Sequence, residues 1–414
     1  PFGTEQNIIE EGYRSLAHSI NVVQVKEEHK RVTFGGPHCS NPYSASRLNI
    51  SAMSFGALSS AAIAALNKGA AKGGFAQNTG EGGLSEYHLT NGGDIIWQIG
   101  TGYFGCRNKD GSFNDDAFAE RANLDIVKMI EIKISQGAKP SHGGVLPGVK
   151  VTQEIADIRL VEAGEAVLSP PTHPEFDTPG GLLDFVARLR KLGGGKPVGF
   201  KLCLGKKPEF LAIIKAMLET NILPDFITID GAEGGTGAAP VEFSNRLGTP
   251  CLESTYYINQ ILIGAGLRQH IGLISAGKTA TGFDMLEKII LGADAVNAAR
   301  SMMMALGCVQ AKTCNTNNCP TGVATQNPLR ARAIDVAEKS ERVRNFHRGT
   351  VHSFLELCGA IGFDNPSDLS PIDLFSRSEE GTKHFDQIYA PLNAGQLLSD
   401  SIPNSYRDDW LKAR

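Results

Sequence analysis

No stretch of the 414 residues approaches roughly eighteen consecutive apolar positions, so no segment reads as a membrane span. The chain also lacks a basic run and any alternation of basic with aromatic residues. With a net charge of -4, no nucleic-acid partner is expected. There is no internal repeat and no low-complexity tract, which argues against a solenoid or a disordered tail. Eight cysteines, irregularly placed, are too few for a disulfide scaffold. Five of them, Cys39, Cys106, Cys203, Cys251 and Cys358, read as buried or incidental thiols. The chain opens on Pro1 rather than Met and shows no signal peptide. The expected location is the cytoplasm, with a membrane anchor only through segments upstream of Pro1.

What is present is an ordinary globular composition, 41% apolar and 20% charged, with 47 glycines for tight loops and close backbone approaches. Eight short apolar runs follow one another. They are LNISAMS (48–54), FAQNTG (75–80), IEIKIS (130–135), EAVLSPP (165–171), PVGFKLCL (197–204), FITIDG (226–231), GLISAG (272–277) and AVNAAR (295–300). Most are rich in Ile, Val, Leu and Phe, as buried parallel strands are, and helix-like segments separate most of them. This pattern predicts an α/β fold, a (β/α)8 TIM barrel. A doubly wound sheet fits less well, because no G-x-G-x-x-G follows the first run. The expected organisation is an arm at 1–44 and a barrel at 45–306 with an insertion at 81–125. A cysteine loop at 307–330 and a mainly helical extension at 331–414 follow. Within the insertion, IIWQIGTGYFGCRNKDGSF reads as a hairpin turning at Lys109-Asp110-Gly111.

In such barrels the chemistry sits at the C-terminal ends of the strands. Those ends carry Ser54, Gly56 and Ala57, then Asn78 and Glu81, then Lys133, Gln136 and Lys139. Later ends carry Lys201, Gly234, Gly235, Gly277 and Arg300. GAEGGTGAAP, SAGKTATG and GADAVNAARS are amide-rich and, with the Arg300 fork, predict a site for a phosphorylated cofactor. The competing reading is that their glycines only permit tight turns. Lys201 suits the pyrimidine edge of an anionic flavin, with an ion-paired lysine as the alternative. Lys133, Lys139 and Arg159 form a basic set suited to a dicarboxylate. Glu81, the one acid among the glycines of its loop, can orient or protonate a nitrogen or a carbonyl oxygen.

Cys308, Cys314 and Cys319 crowd into one loop, with Pro320 behind the last. Thiolates gathered this way suit soft metals and clusters. A structural zinc site wants four ligands in paired spacing, and this loop has neither C-x2-C nor histidine. Three thiolates match the three irons of a 3Fe-4S cluster, one each. Another metal, or reactive or structural thiols, are the alternatives.

Taken together, CVQAKTCNTNNCPTGVATQ, KISQGAKPSHGGVLPGVKV, AMSFGALS, NTGEGG, LSPP and GGTGAAP resemble the synthase domain of the glutamate synthase family. The resemblance covers roughly residues 45–330. It implies FMN and a [3Fe-4S] cluster, with electrons from ferredoxin or a reductase subunit passing through the cluster to the flavin. It implies that ammonia condenses with 2-oxoglutarate and that the imine is reduced to glutamate. It places Lys133, Gln136, Lys139 and Arg159 near the 2-oxoglutarate pocket, and Glu81 as the active-site acid. Ser54, Gly56, Ala57, Asn78, Lys201, Gly234, Gly235, Gly277 and Arg300 would then hold flavin, and the three cysteines the cluster. Neither the glutaminase domain nor the C-terminal β-helix of the large synthases falls within these 414 residues, and ammonia or an amine is expected free or from a partner. His142 stands where the family has a glutamate, and Arg300 is similar to other FMN barrels instead. Alternatives are an alkylamine-dependent, N-methylglutamate-type synthase, an enzyme on another 2-oxo acid, or an electron-relay subunit without its own substrate.

Overall fold

The structure is a computed structural model describing residues 3–388 and 390–414; Pro1 and Phe2 of the expected arm lie outside them. Eight strands close into a barrel: β1 (Leu48–Ile50), β2 (Gln77–Asn78), β3 (Ile95–Ile99), β4 (Val127–Lys133), β5 (Val198–Leu202), β6 (Phe226–Asp230), β7 (Gly272–Ala276) and β8 (Ala295–Ala298). Each pairs in parallel with the next, and β8 returns to β1 with Ala298 opposite Ile50. The helices that matter for the site are α1 (Ser60–Gly73), α2 (Asp115–Ala122), α3 (Gln153–Arg159), α4 (Arg300–Leu306) and α5 (Val336–Ala360). Helix α1 begins where the Ser59 hydroxyl accepts the Ala62 N–H, and it ends at Gly74, whose φ of 67° only glycine adopts freely.

The barrel is the expected one, but two strands differ. Residues 81–125 are not an insertion: they contain β3 and α2. IIWQI is buried at all five positions and pairs with β2 and β4. Its hairpin reading came from the Lys109-Asp110-Gly111 turn. That turn exists, but it only joins Arg107 to Phe113. EAVLSPP is not a barrel strand. Val167–Leu168 pairs antiparallel with Val145–Leu146 alone, and Leu168 is 70% exposed.

Because parallel strands point alternate residues inward, the interior can be read in layers. At the N-terminal end lie Ile96, Met129, Phe226 and Ile274, closed off by Phe34 and Tyr43 from an antiparallel ribbon (Arg31–Phe34 with Tyr43–Ser46). One step up the axis the layer turns polar. Glu131 accepts from Asn78 at 2.8 Å, Gln98 at 2.7 Å and Thr228 at 2.6 Å. Another step up are Lys133, Lys201 and Asp230, with the two lysines in register on neighbouring strands. Polarity thus rises toward the end where chemistry is expected.

After β8, α4 leads into the cysteine loop and then α5, which packs along α1. A Cβ on Gly69 would lie 2.7 Å from Val343 Cγ1, so glycine sets that close approach. The extension is helical at α5 and Asn404–Lys412, but between them Leu374–Ser378 pairs with both Gly381–His384 and Arg14–Leu16. Among the described residues no helix is long and apolar enough to cross a membrane.

Candidate active site

Glu81 lies on the short turn Gly80–Gly82 after β2. Gly80 has φ 64°, and a Cβ there would lie 2.7 Å from the Ser54 nitrogen. A Cβ on Gly100 would lie 2.6 Å from that of Glu81, and one on Gly144 would strike its carboxylate, so both loops close over it. Lys133, 6% exposed, donates to Glu81 Oε1 at 2.8 Å. Arg159, at the end of α3, is 4% exposed; its Nη2 donates to the Phe55 carbonyl at 3.0 Å and its guanidinium lies 5.0 Å over the Phe104 ring. Arg159 Nε is buried without a partner. Buried donors of this kind call for an acceptor.

Burial pulls the Lys139 ammonium down to about 8; Glu81 opposes the shift and Lys133 adds to it. Burial likewise takes Arg159 down to about 10, against the pull of Glu81. For Glu81, burial favours the neutral acid, but the charge and hydrogen bond of Lys133, then Arg159 and Lys139, hold it below the usual carboxylate range. Glu81 is therefore an ionised acceptor at neutral pH, suited to orienting a nitrogen cation rather than donating a proton. Three cations facing one carboxylate leave a surplus of positive charge that a dianion would balance.

The other expected residues sort into neighbourhoods. Gln136 is half-buried on the Lys139 loop, its carbonyl accepting the Lys139 N–H. Ser54 packs under Gly80 and Gly82, and Gly56 (φ 107°) faces Arg159 Nη2. Ala57 is exposed, with its carbonyl taken by Lys150. Asn78 is engaged at both ends, donating to Glu131 and accepting from Gly80, so its amide shapes the Glu81 turn. Lys201 sits 3.7 Å from Asp230 Oδ2, the ion-paired alternative. A Cβ on Gly235 would lie 2.8 Å from Arg300 Nη2, which brings the glycine loop after β6 to the start of α4. Gly234 is held small by the Ala138 backbone and Gly277 by Cys251. Thr279 Oγ1, on the loop after β7, is buried without a partner.

Cys308, Cys314 and Cys319 carry free thiols and line one small cavity. Burial raises the Cys314 thiol, with Cys308 and Cys319 adding to it. At Cys319 burial also raises, but the amides of Ala324, Thr321 and Val323 and the Thr321 hydroxyl outweigh it. Among the described residues no three Cys, His, Asp or Glu side chains gather closely enough to hold a single metal ion. A cluster that binds each thiolate to a different iron does not require that convergence. Cysteine loop and glycine loop touch: a Cβ on Gly237 would lie 3.1 Å from Cys314 Cβ.

Three polar residues were not singled out from sequence. Glu131 and Lys133 stand two apart in one apolar strand, a spacing that puts two charges on the same inward face. Asp230 ends β6, where strand-end chemistry was expected. Burial raises its carboxyl above the ordinary range, against Lys201. Lys150 gave no signal, because its environment comes from distant loops.

A closed parallel barrel with its polar layer at the C-terminal mouth defines a TIM-barrel protein of the type that carries its site on the strand-end loops. Solved structures with this fold include a mandelate oxidase variant with a monooxide FMN adduct (TM-score 0.50, 15% identity, covering 90% of this chain and 88% of that one). Another is a flavocytochrome b2 variant with pyruvate bound (TM-score 0.52, 13% identity, 87% and 75%). Residues 14–364 match the family described as the conserved region in glutamate synthase. The chain is 42% identical over 350 residues to the glutamate synthase large subunit-like protein YerD of Bacillus subtilis (strain 168), covering 84% of this chain and 66% of that protein. It is 35% identical over 321 residues to the archaeal glutamate synthase (NADPH) of Methanocaldococcus jannaschii, covering 77% and 60%. The chain belongs to the glutamate synthase family, and spans 60% to 66% of the length of these two relatives.

Proposed function

We propose that this chain is a flavin-dependent, glutamate-synthase-type oxidoreductase that reduces the imine of 2-oxoglutarate and ammonia to glutamate. Electrons would come from ferredoxin or a reductase subunit, through a 3Fe-4S cluster on Cys308, Cys314 and Cys319. Bound FMN would supply the hydride and the cluster single electrons. The observation that carries the reading is the convergence of Lys133, Lys139 and Arg159 on Glu81 at the barrel mouth. Arg159, with its unpaired Nε, and Lys139 would hold the two carboxylates of the substrate. The Glu81 carboxylate would hold the cationic imine nitrogen in line for hydride addition at carbon. Iminium plus hydride gives the amine, so electrons and protons balance.

Support for FMN comes from the family and from a mouth that suits a phosphorylated ligand: the buried free hydroxyl of Thr279 and the Gly235–Arg300 approach. Support for the cluster is the shared cavity of three thiols. The test is anaerobic. Protein with pre-reduced flavin receives 2-oxoglutarate and ammonium, and glutamate is sought by mass while flavin absorbance returns. Reoxidation with glutamate formed is expected. N-methylglutamate from methylamine but no glutamate from ammonium would move the substrate to alkylamines. No reoxidation with either would reject both.

A further inference from the structure

Lys150 is 2% exposed, and its ammonium donates to three carbonyls: Ala57 at 2.6 Å, Cys314 at 3.0 Å and Ala324 at 3.3 Å. The first belongs to the turn after β1 and the other two to the cysteine loop. Every acceptor is neutral. The titratable groups that bear on Lys150 are the thiols of Cys314 and Cys319 and the like-charged Arg159. A buried cation without a counter-charge is strongly disfavoured, and an anionic cluster on the cysteines would supply that charge. The same turn is tied to the loop by three more hydrogen bonds. Gln326 Nε2 donates to Gly56 and Leu58 carbonyls at 3.0 and 2.7 Å, and the Ser59 N–H reaches Val323.

We propose that Lys150 is the buried counter-cation of the cysteine loop. It pins that loop to the Gly56–Leu58 turn, and its charge raises the reduction potential of the cluster. The inference rests on the reading that Cys308, Cys314 and Cys319 bind an iron–sulfur cluster. A three-thiolate cluster is anionic and gains one more negative charge on reduction. A fixed cation beside it stabilises the reduced form more than the oxidised one. Lys150 acts through the loop and is a positioning residue.

The experiment uses the full chain reconstituted with iron and sulfide, as wild type, Lys150→Gln, Lys150→Arg and Lys312→Met. Lys312 is exposed in the same loop. The oxidised cluster is followed by EPR during potentiometric titration. Lys150→Gln is expected to shift the oxidised-to-reduced ratio at fixed potential at least tenfold toward oxidised, about 59 mV for a one-electron couple. Lys150→Arg should stay near wild type, and Lys312→Met should shift it far less. An unchanged potential in Lys150→Gln, or an equal shift in Lys312→Met, overturns the counter-cation role. Hydrogen exchange of the unloaded protein tests the pin without a cluster. Faster exchange across 314–326 in Lys150→Gln is expected, and unchanged exchange overturns it. Wild type that takes up no iron would instead defeat the cluster reading itself.

Discussion

At the scale of single residues, the pocket around Glu81 makes charge predictions with definite signs. Lys139 sits at about 8 because burial disfavours its ammonium. Above that pH it sheds its proton, so KM for the proposed 2-oxo acid should rise up to about tenfold per pH unit while kcat moves less. Steady-state kinetics across pH 7 to 10 check this, and Lys139→Arg should flatten the profile. Arg159→Met removes a charged hydrogen bond of about 1.5–3 kcal/mol, which predicts a KM raised about 10–100-fold. Glu81→Gln should behave oppositely: kcat falls about 100-fold or more, while KM does not rise, because removing an anion from a cationic pocket favours a dianion. Glu81, Lys133 and Lys139 stood out in the sequence as charged residues on or just beyond strand ends, whereas Arg159 closes helix α3 and was grouped with them by its charge. Lys150 was not, since three carbonyls distant in sequence define its setting.

At the scale of elements, strand number and barrel class were legible from the run of apolar segments, but strand identity was not uniform. IIWQI and EAVLS are both short and apolar, and only burial separates them: the first is covered on both faces, while Leu168 faces solvent. A short apolar run does not report which neighbour will cover it. Contact between α1 and α5 was equally silent, because Gly69 looks like any helical glycine until Val343 is placed against it. Gly69→Val should force these helices apart and lower stability by about 1–3 kcal/mol, read as a lower urea midpoint with the m-value retained.

At the scale of the whole molecule, three histidines are stored neutral in different parts of the fold. Burial lowers His88 to about 3, and His173 and His347 to about 4. Unfolding frees each to take up a proton near its ordinary value of about 6.5. Below that pH the unfolded chain therefore binds more protons than the folded one, and stability falls as pH drops toward 4, by on the order of 3 kcal/mol per histidine. Urea midpoints between pH 7 and 4 would show the decline, and His347→Gln should make it shallower. The Glu131 carboxylate adds a constraint of another kind. Its donors come from 53 positions upstream, 33 upstream and 97 downstream. A chain that has assembled only part of the ring strands that charge in an apolar shell without enough donors. Incomplete barrels are thereby penalised, and the last strands to arrive release the penalty. Glu131 thereby ties β2, β3, β4 and β6 together at one point, so the stability of each strand depends on the presence of the others.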